Sequence, residues 1–82
     1  MRHKLTQQDV DKMEKEIEHR KVDVRKELLE HVKEARAHGD LSENFEYHAA
    51  KKEKNRNESR IRYLENRIKN SEIVEDHSTQ DE

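Results

Sequence analysis

The 82-residue chain has no cysteine, no proline and no tryptophan, and its single glycine is Gly39. The lack of cysteine excludes disulfides, thiol chemistry and cysteine-ligated zinc. Apolar residues are scarce as well. Leu, Ile, Val and Phe supply 15 of 82 positions and aromatics only 4% of the chain, too little for a conventional enzyme fold with an enclosed substrate pocket. No apolar run approaches the roughly 18 residues of a membrane span, and Met1 to Val10 holds no apolar signal segment. No glycine-rich phosphate loop or nucleophile–base arrangement is present, so independent catalysis is not expected.

Charge is what the chain has in abundance. Asp, Glu, Lys and Arg fill 46% of it, yet they balance to a net charge of −2, which argues against simple charge-driven disorder. Ala, Glu, Lys, Leu and Arg make up 41 of the 82 residues, a composition that signals long helix or coiled coil when helical periodicity accompanies it. A soluble, cytoplasmic, helical protein is the expectation.

The periodicity is there. Thr6 is a plausible N-cap with Asp9 three residues later as a variant capping box. Val10, Met13, Ile17, Val24, Leu28, Val32 and Ala35 then form a helical stripe, with Arg20 or Lys21 in its one missing turn. The first helix is expected to close near His38-Gly39, where glycine accepts the left-handed conformation. From Gln7 to His38 this is a rod of roughly 48 Å at 1.5 Å per residue. A second stripe, Tyr47, Ala50, Lys54, Asn57, Ile61, Leu64 and Ile68, alternates spacings of three and four. That is a coiled-coil seam with two polar positions near its start. The second helix is expected to fade around Val74. The fold class is therefore all-α, a long antiparallel two-helix coiled-coil hairpin with an acidic tip. The hairpin domain is expected over residues 1–76, and 77–82 as an acidic tail or the start of a linker.

Two registers compete. Matching apolar to apolar sets Val24 against Ile68, Leu28 against Leu64 and Val32 against Ile61, and requires an extended tip over residues 39–46. A tight turn at Gly39 would instead set Leu28 against Glu53. The apolar match is the preferred expectation.

Charge is uneven along the chain. Residues 38–50 carry Asp40, Glu43 and Glu46 with no Lys or Arg, whereas residues 51–69 carry eight basic and three acidic residues. Asp40 and Glu43, three apart, have two compatible readings. Asp40 could cap the second helix with Glu43 at its third position, where the helix dipole favours negative charge. Alternatively the two carboxylates are exposed donors for a hard divalent cation. Magnesium takes only one or two protein carboxylates among its six oxygens, so a bare tip would hold it weakly unless another macromolecule completed the set. A zinc site with His38 and His48 is disfavoured by their ten-residue separation. Lys51, Lys52, Lys54, Arg56, Arg60, Arg62, Arg67 and Lys69 are either a solvated face with pairs such as Glu58–Arg62, or a strip for acidic partners. Arg36 and Lys51 border the tip, where they could steer an RNA phosphate. Tyr47 lies on the stripe as local core. Phe45 lies off it, and either plugs the loop or stacks on a base.

The stretch from Glu34 to Lys51, with the core HGDLSENFEYHAAK, closely resembles the tip of the Gre family of bacterial transcript cleavage factors (GreA-like). ESRIRYLENRIKNSEIVED, from Glu58 to Asp76, is similar to that family's second helix and the exit from it. The likeness spans roughly residues 5 to 76 and is weaker over the first thirty. In that family an N-terminal antiparallel coiled coil enters the secondary channel of bacterial RNA polymerase. Two tip acids help hold a second Mg2+ and an attacking water, and backtracked RNA is hydrolysed near its 3′ end. The resemblance implies these roles for Asp40 and Glu43, with the Mg2+ shared and no tight intrinsic site. It places Asn44, Glu46 and Tyr47 in the tip that positions the acids, and Arg36 and Lys51 at the RNA 3′ end. Ser42 stands where some members carry lysine. The implied protein is a monomeric cofactor of the polymerase, not itself an enzyme, with no membrane partner.

Family members continue into a C-terminal globular domain that docks at the channel rim. The chain ends at Glu82, where that domain would begin, and an excised N-terminal domain is the expectation over a natural short variant. Weaker attachment to polymerase would follow, because linked contacts act through effective concentration. Two other functions compete: a channel-occupying regulator without cleavage activity, and a helical adaptor that dimerises through its seam.

Overall fold

The computed structural model describes residues 3–39 and 43–74. The order of elements is β1 (His3–Thr6), α1 (Gln7–His19), a π-helical turn (Arg20–Val24), α2 (Arg25–Arg36), α3 (Phe45–Lys69) and β2 (Ser71–Val74). The first three helical pieces run on as one rod, and α3 returns beside it, giving a slender helical hairpin of 61 × 26 × 16 Å.

Local chemistry sets the start of the rod. The Thr6 hydroxyl accepts from the Asp9 backbone N–H at 3.1 Å, and the Asp9 carboxylate accepts from the Thr6 N–H at 3.1 Å. This is the capping box read from the sequence, and it holds the Asp9 carboxyl below its usual range. At the other end the Ala37 N–H still bonds the Lys33 and Glu34 carbonyls and the His38 N–H bonds Ala35. Gly39 then takes a φ of 122° and breaks the run.

Burial follows both stripes. Leu5, Val10, Leu28, Ala35, Ile61 and Leu64 are the buried apolar residues among those described. Along α3, Tyr47, Ala50, Lys54 and Ile68 are half-buried, while Asn57, Ile61 and Leu64 are buried. The polar seam position Asn57 is only 3% exposed, a burial that needs hydrogen bonds to offset desolvation. It has them. Its side-chain oxygen accepts from Arg20 Nη1 at 3.0 Å, and its Nδ2 donates to the Arg20 carbonyl at 3.1 Å. That same carbonyl receives the Arg25 N–H across the wide π turn. The gap in the first stripe and the polar position in the second therefore satisfy each other.

This pairing decides the register, and the apolar-matching expectation is overturned. Arg20 meets Asn57, the Arg25 guanidinium grips the Glu58 carboxylate with two bonds of 2.9 Å, and Arg60 reaches Glu16 at 2.9 Å. The helices are thus aligned by the tight-turn alternative, about ten residues from a Val24–Ile68 match. The physical reason is that this alignment gives Arg20, Asn57 and Glu16 polar partners across the seam, whereas apolar matching would have set Asn57 against Ala35 and the Glu16 carboxylate against another acid, Asp76. Glu58 consequently pairs with Arg25 and not with Arg62, whose Nη2 bonds the Ser59 hydroxyl at 3.2 Å. Glu16 also accepts from Arg20 Nε at 2.7 Å. Donation by Arg60 and then Arg20 pushes the Glu16 carboxyl down to about 2.

The second helix ends earlier than expected. Lys69 is its last residue, Asn70 is its C-cap, and the Ser71 hydroxyl donates to the Arg67 carbonyl. Residues 71–74 are extended, and they pair in parallel with β1, His3 opposite Ser71 and Thr6 opposite Val74. The hairpin thus carries a small two-stranded clip at its open end, closing over buried Leu5 and Ser71. The tail expected at residues 77–82 lies outside the described residues.

Candidate functional site at the hairpin tip

The tip is built by one residue more than any other. Asn44 is the N-cap of α3, its side-chain oxygen accepting from the Tyr47 N–H at 3.0 Å. Its Nδ2 donates to the Ala35 carbonyl at 2.5 Å, in the last turn of α2. A single amide therefore starts one helix and ties it to the end of the other. The cap reading for Asp40 is corrected accordingly: α3 begins at Phe45, and Glu43 precedes the cap instead of sitting at a third helical position. Two nearby residues each offer a capping oxygen, and the one that also reaches Ala35 prevails.

Glu43 is exposed immediately before the cap. Asp40, its expected partner carboxylate, lies outside the described residues, as do Leu41 and Ser42. Arg36, the last residue of α2, is exposed beside Ala35 and hence beside the Asn44 anchor. Glu46 is exposed, and its Oε2 lies 3.0 Å from Nδ1 of His38, a second polar link across the connection that the sequence reading did not foresee. Its only sequence signal is the placement of His38 and Glu46 on opposite sides of the Gly39 break. Tyr47 is half-buried on the seam as expected, with the His48 ring edge-on at 5.5 Å between centroids. Lys51 Nζ lies 6.0 Å from the Tyr47 ring centroid, a cation–π approach at the outer limit of that interaction. So Arg36, Glu43, Asn44, Glu46 and Tyr47 gather at one end, and Lys51 stands about 9 Å behind the start of α3.

No cluster of three or more His, Asp or Glu suited to a metal ion occurs among the described residues. An exposed glutamate with a second carboxylate four positions or fewer away in sequence is a hard-oxygen set of the size magnesium takes from protein. It suits a shared ion and not a closed cage.

The basic strip divides into parts. Arg60 is engaged by Glu16, and Arg67 donates to the Tyr63 hydroxyl at 3.2 Å. Lys54 is half-buried in the seam. Lys51, Lys52 and Arg56 form no ion pair among the described residues, and with His48, Asn55 and Ser59 they line a shallow depression of about 420 Å3 on the outer face of α3. Phe45 is 84% exposed and plugs nothing.

Comparison with known proteins bears directly on this arrangement. A protein-family profile described as "Transcription elongation factor, N-terminal" matches residues 3–73. Transcription elongation factor GreA of Bacillus cytotoxicus is 51% identical over 72 residues, covering 88% of this chain and 46% of that protein. GreA of Geobacillus kaustophilus is 50% identical over the same length and coverage. GreA of Rhodopseudomonas palustris is 50% identical over 60 residues, 73% of this chain and 38% of its own. The chain thus spans about half the length, or less, of the curated relatives it matches. With the profile covering most of the chain from β1 to β2, the protein belongs to the Gre family, and it corresponds to the N-terminal domain of that family's transcription elongation factors.

Proposed function

We propose that this hairpin is a transcription elongation module that enters the secondary channel of bacterial RNA polymerase and stimulates the polymerase's own cleavage of backtracked RNA. The observation that carries the reading is the tip: an exposed carboxylate, Glu43, held by the Asn44 double anchor at the end of a rod 61 Å long and only 26 × 16 Å across. A narrow rod with a fixed tip can deliver a side chain into a buried active site that a globular protein cannot reach.

Each residue then has a defined part. Glu43, with Asp40, supplies carboxylate oxygens to a Mg2+ whose other ligands belong to the polymerase. When bound, that ion activates a water for in-line attack on a phosphodiester. Asn44 fixes the direction of approach, and Glu46 and Tyr47 hold the first turn of α3 through His38 and the seam. Arg36 and Lys51 offer cations to the phosphates of the displaced RNA 3′ segment. The chain performs no chemistry alone. It acts as a cofactor to the polymerase, and as a monomer, because Asn57 and Arg20 are satisfied within the chain and the half-buried Lys54 puts a charge in the seam that a second helix would have to desolvate.

The test uses a stalled, backtracked bacterial elongation complex with RNA resolved at its 3′ end. The parent chain at high concentration is expected to accelerate cleavage. The Asp40→Asn/Glu43→Gln double variant is expected to remain helical by circular dichroism and to lose at least 100-fold in rate, on the order of the loss when charge stabilisation at a reacting centre is removed. Equal block of nucleotide addition by both chains, without cleavage, would instead make the protein a channel-occupying regulator.

A further inference from the structure

The most exposed large apolar side chain among the described residues is Phe45, at 84%, well above Val22 at 60% and Tyr63 at 49%. It is the first residue of α3, directly after the Asn44 anchor, so its backbone is held by the best-secured residue of the tip. Among the described residues no other exposed large apolar side chain lies near it in sequence: Glu43, Glu46, His48 and Lys52 are all exposed and polar. A lone ring is a poor docking surface for a protein wall, which asks for contiguous apolar area.

Its companions on the helix point elsewhere. Phe45, His48, Lys52 and Arg56 follow at spacings of three, four and four, and so share one outward face of α3. Lys52 and Arg56 line the shallow depression behind the ring and form no ion pair among the described residues. An aromatic platform at the head of an unpaired basic row is the combination that holds single strands, the ring stacking a base and the cations following the backbone. We infer that Phe45 is a stacking platform for an unpaired base of single-stranded RNA, an inference that rests on the transcript-cleavage reading for its physiological ligand, the extruded 3′ end.

Two measurements separate this inference from the reading beneath it. In the first, a free single-stranded oligoribonucleotide ending in 2-aminopurine is titrated with the whole chain, and emission is followed. Quenching by the parent and by Phe45→Trp, lost in Phe45→Ala and Phe45→Leu, is the expected result. In the second, the same variants are compared in the backtracked elongation complex. Phe45→Ala and Phe45→Leu are expected to raise the concentration for half-maximal cleavage by roughly 5- to 150-fold, the range that loss of one stacked base implies. Phe45 is solvent-exposed, so unchanged melting of the variants accompanies either result. Quenching without cleavage would uphold stacking and sink transcript cleavage. Cleavage with Phe45→Leu equal to the parent would mean an apolar contact with polymerase and would overturn stacking. So would a parent chain that quenches no better than Phe45→Ala.

Discussion

Asn44 uses both ends of its amide, and each end can be removed separately. Asn44→Asp keeps an oxygen for the Tyr47 N–H but has no donor for the Ala35 carbonyl, whereas Asn44→Ala loses both. Loss of an N-cap costs about 1 kcal/mol. Asn44→Ala should therefore lower stability by roughly 1–2 kcal/mol in a urea melt, with Asn44→Asp between it and the parent. Equal stability of all three would show that the tip is held some other way. Glu16 permits a sharper experiment. Its folded carboxyl is pushed down to about 2 from 4.5 by Arg60 and Arg20, so its contribution is fully present above about pH 4.5 and is lost as pH falls toward 2. The melting temperature should decline through that window, and Glu16→Gln should flatten the part of the decline due to this group. The Thr6–Asp9 box was legible in the sequence because all its partners lie within four residues. The cap of α3 was not, because Asp40 and Asn44 carry the same capping chemistry and only contact with α2 distinguishes them.

Among the elements, the two helical stripes were readable, since a period of three and four is a local property. Every residue assigned to the second stripe is buried or half-buried, Lys54 and Asn57 included. Register was not readable by apolar matching, because the decisive pair is polar. Arg20 fills the empty turn of one stripe, Asn57 interrupts the other, and the π turn presents the Arg20 carbonyl that joins them. Buried polar residues can fix register at some expense in stability. Asn57→Leu should thus strip the Asn57 bonds from the Arg20 carbonyl and Nη1, leaving that carbonyl only the Arg25 N–H and that guanidinium only Glu16, destabilising the hairpin by about 1–3 kcal/mol. It should also weaken the Arg25–Glu58 pairing, seen as loss of cross-helix nuclear Overhauser contacts. A more stable variant with those contacts intact would show that register is set elsewhere. The clip of β1 and β2 was illegible for a different reason: four residues a side carry no usable alternation, and their pairing joins positions nearly seventy residues apart.

For the whole molecule, the radius of gyration of 18.0 Å far exceeds the roughly 12 Å of a compact globule of this length. The site was legible as a place before it was legible as a geometry: a glycine break, a run of acids and a basic segment behind them located the tip, while the anchoring bonds came from contacts across the turn. The clip at the far end has a mechanical consequence. Because β1 and β2 run parallel, tension applied through residue 3 and residue 74 pulls at opposite ends of the paired segment, loading its hydrogen bonds together in shear. The helices behind it, covalently connected at the tip and held along their length by separate cross-helix pairs, would instead peel apart one turn at a time. Stretching the chain between its ends in an optical trap should therefore give one abrupt rupture, followed by unzipping at lower force. Replacing Leu5 with proline, which removes a backbone N–H from the strand and the buried Leu5 side chain from beneath it, should abolish the first event and leave the second. The clip is then a tensile fuse, and the rod keeps its full length only while that fuse holds.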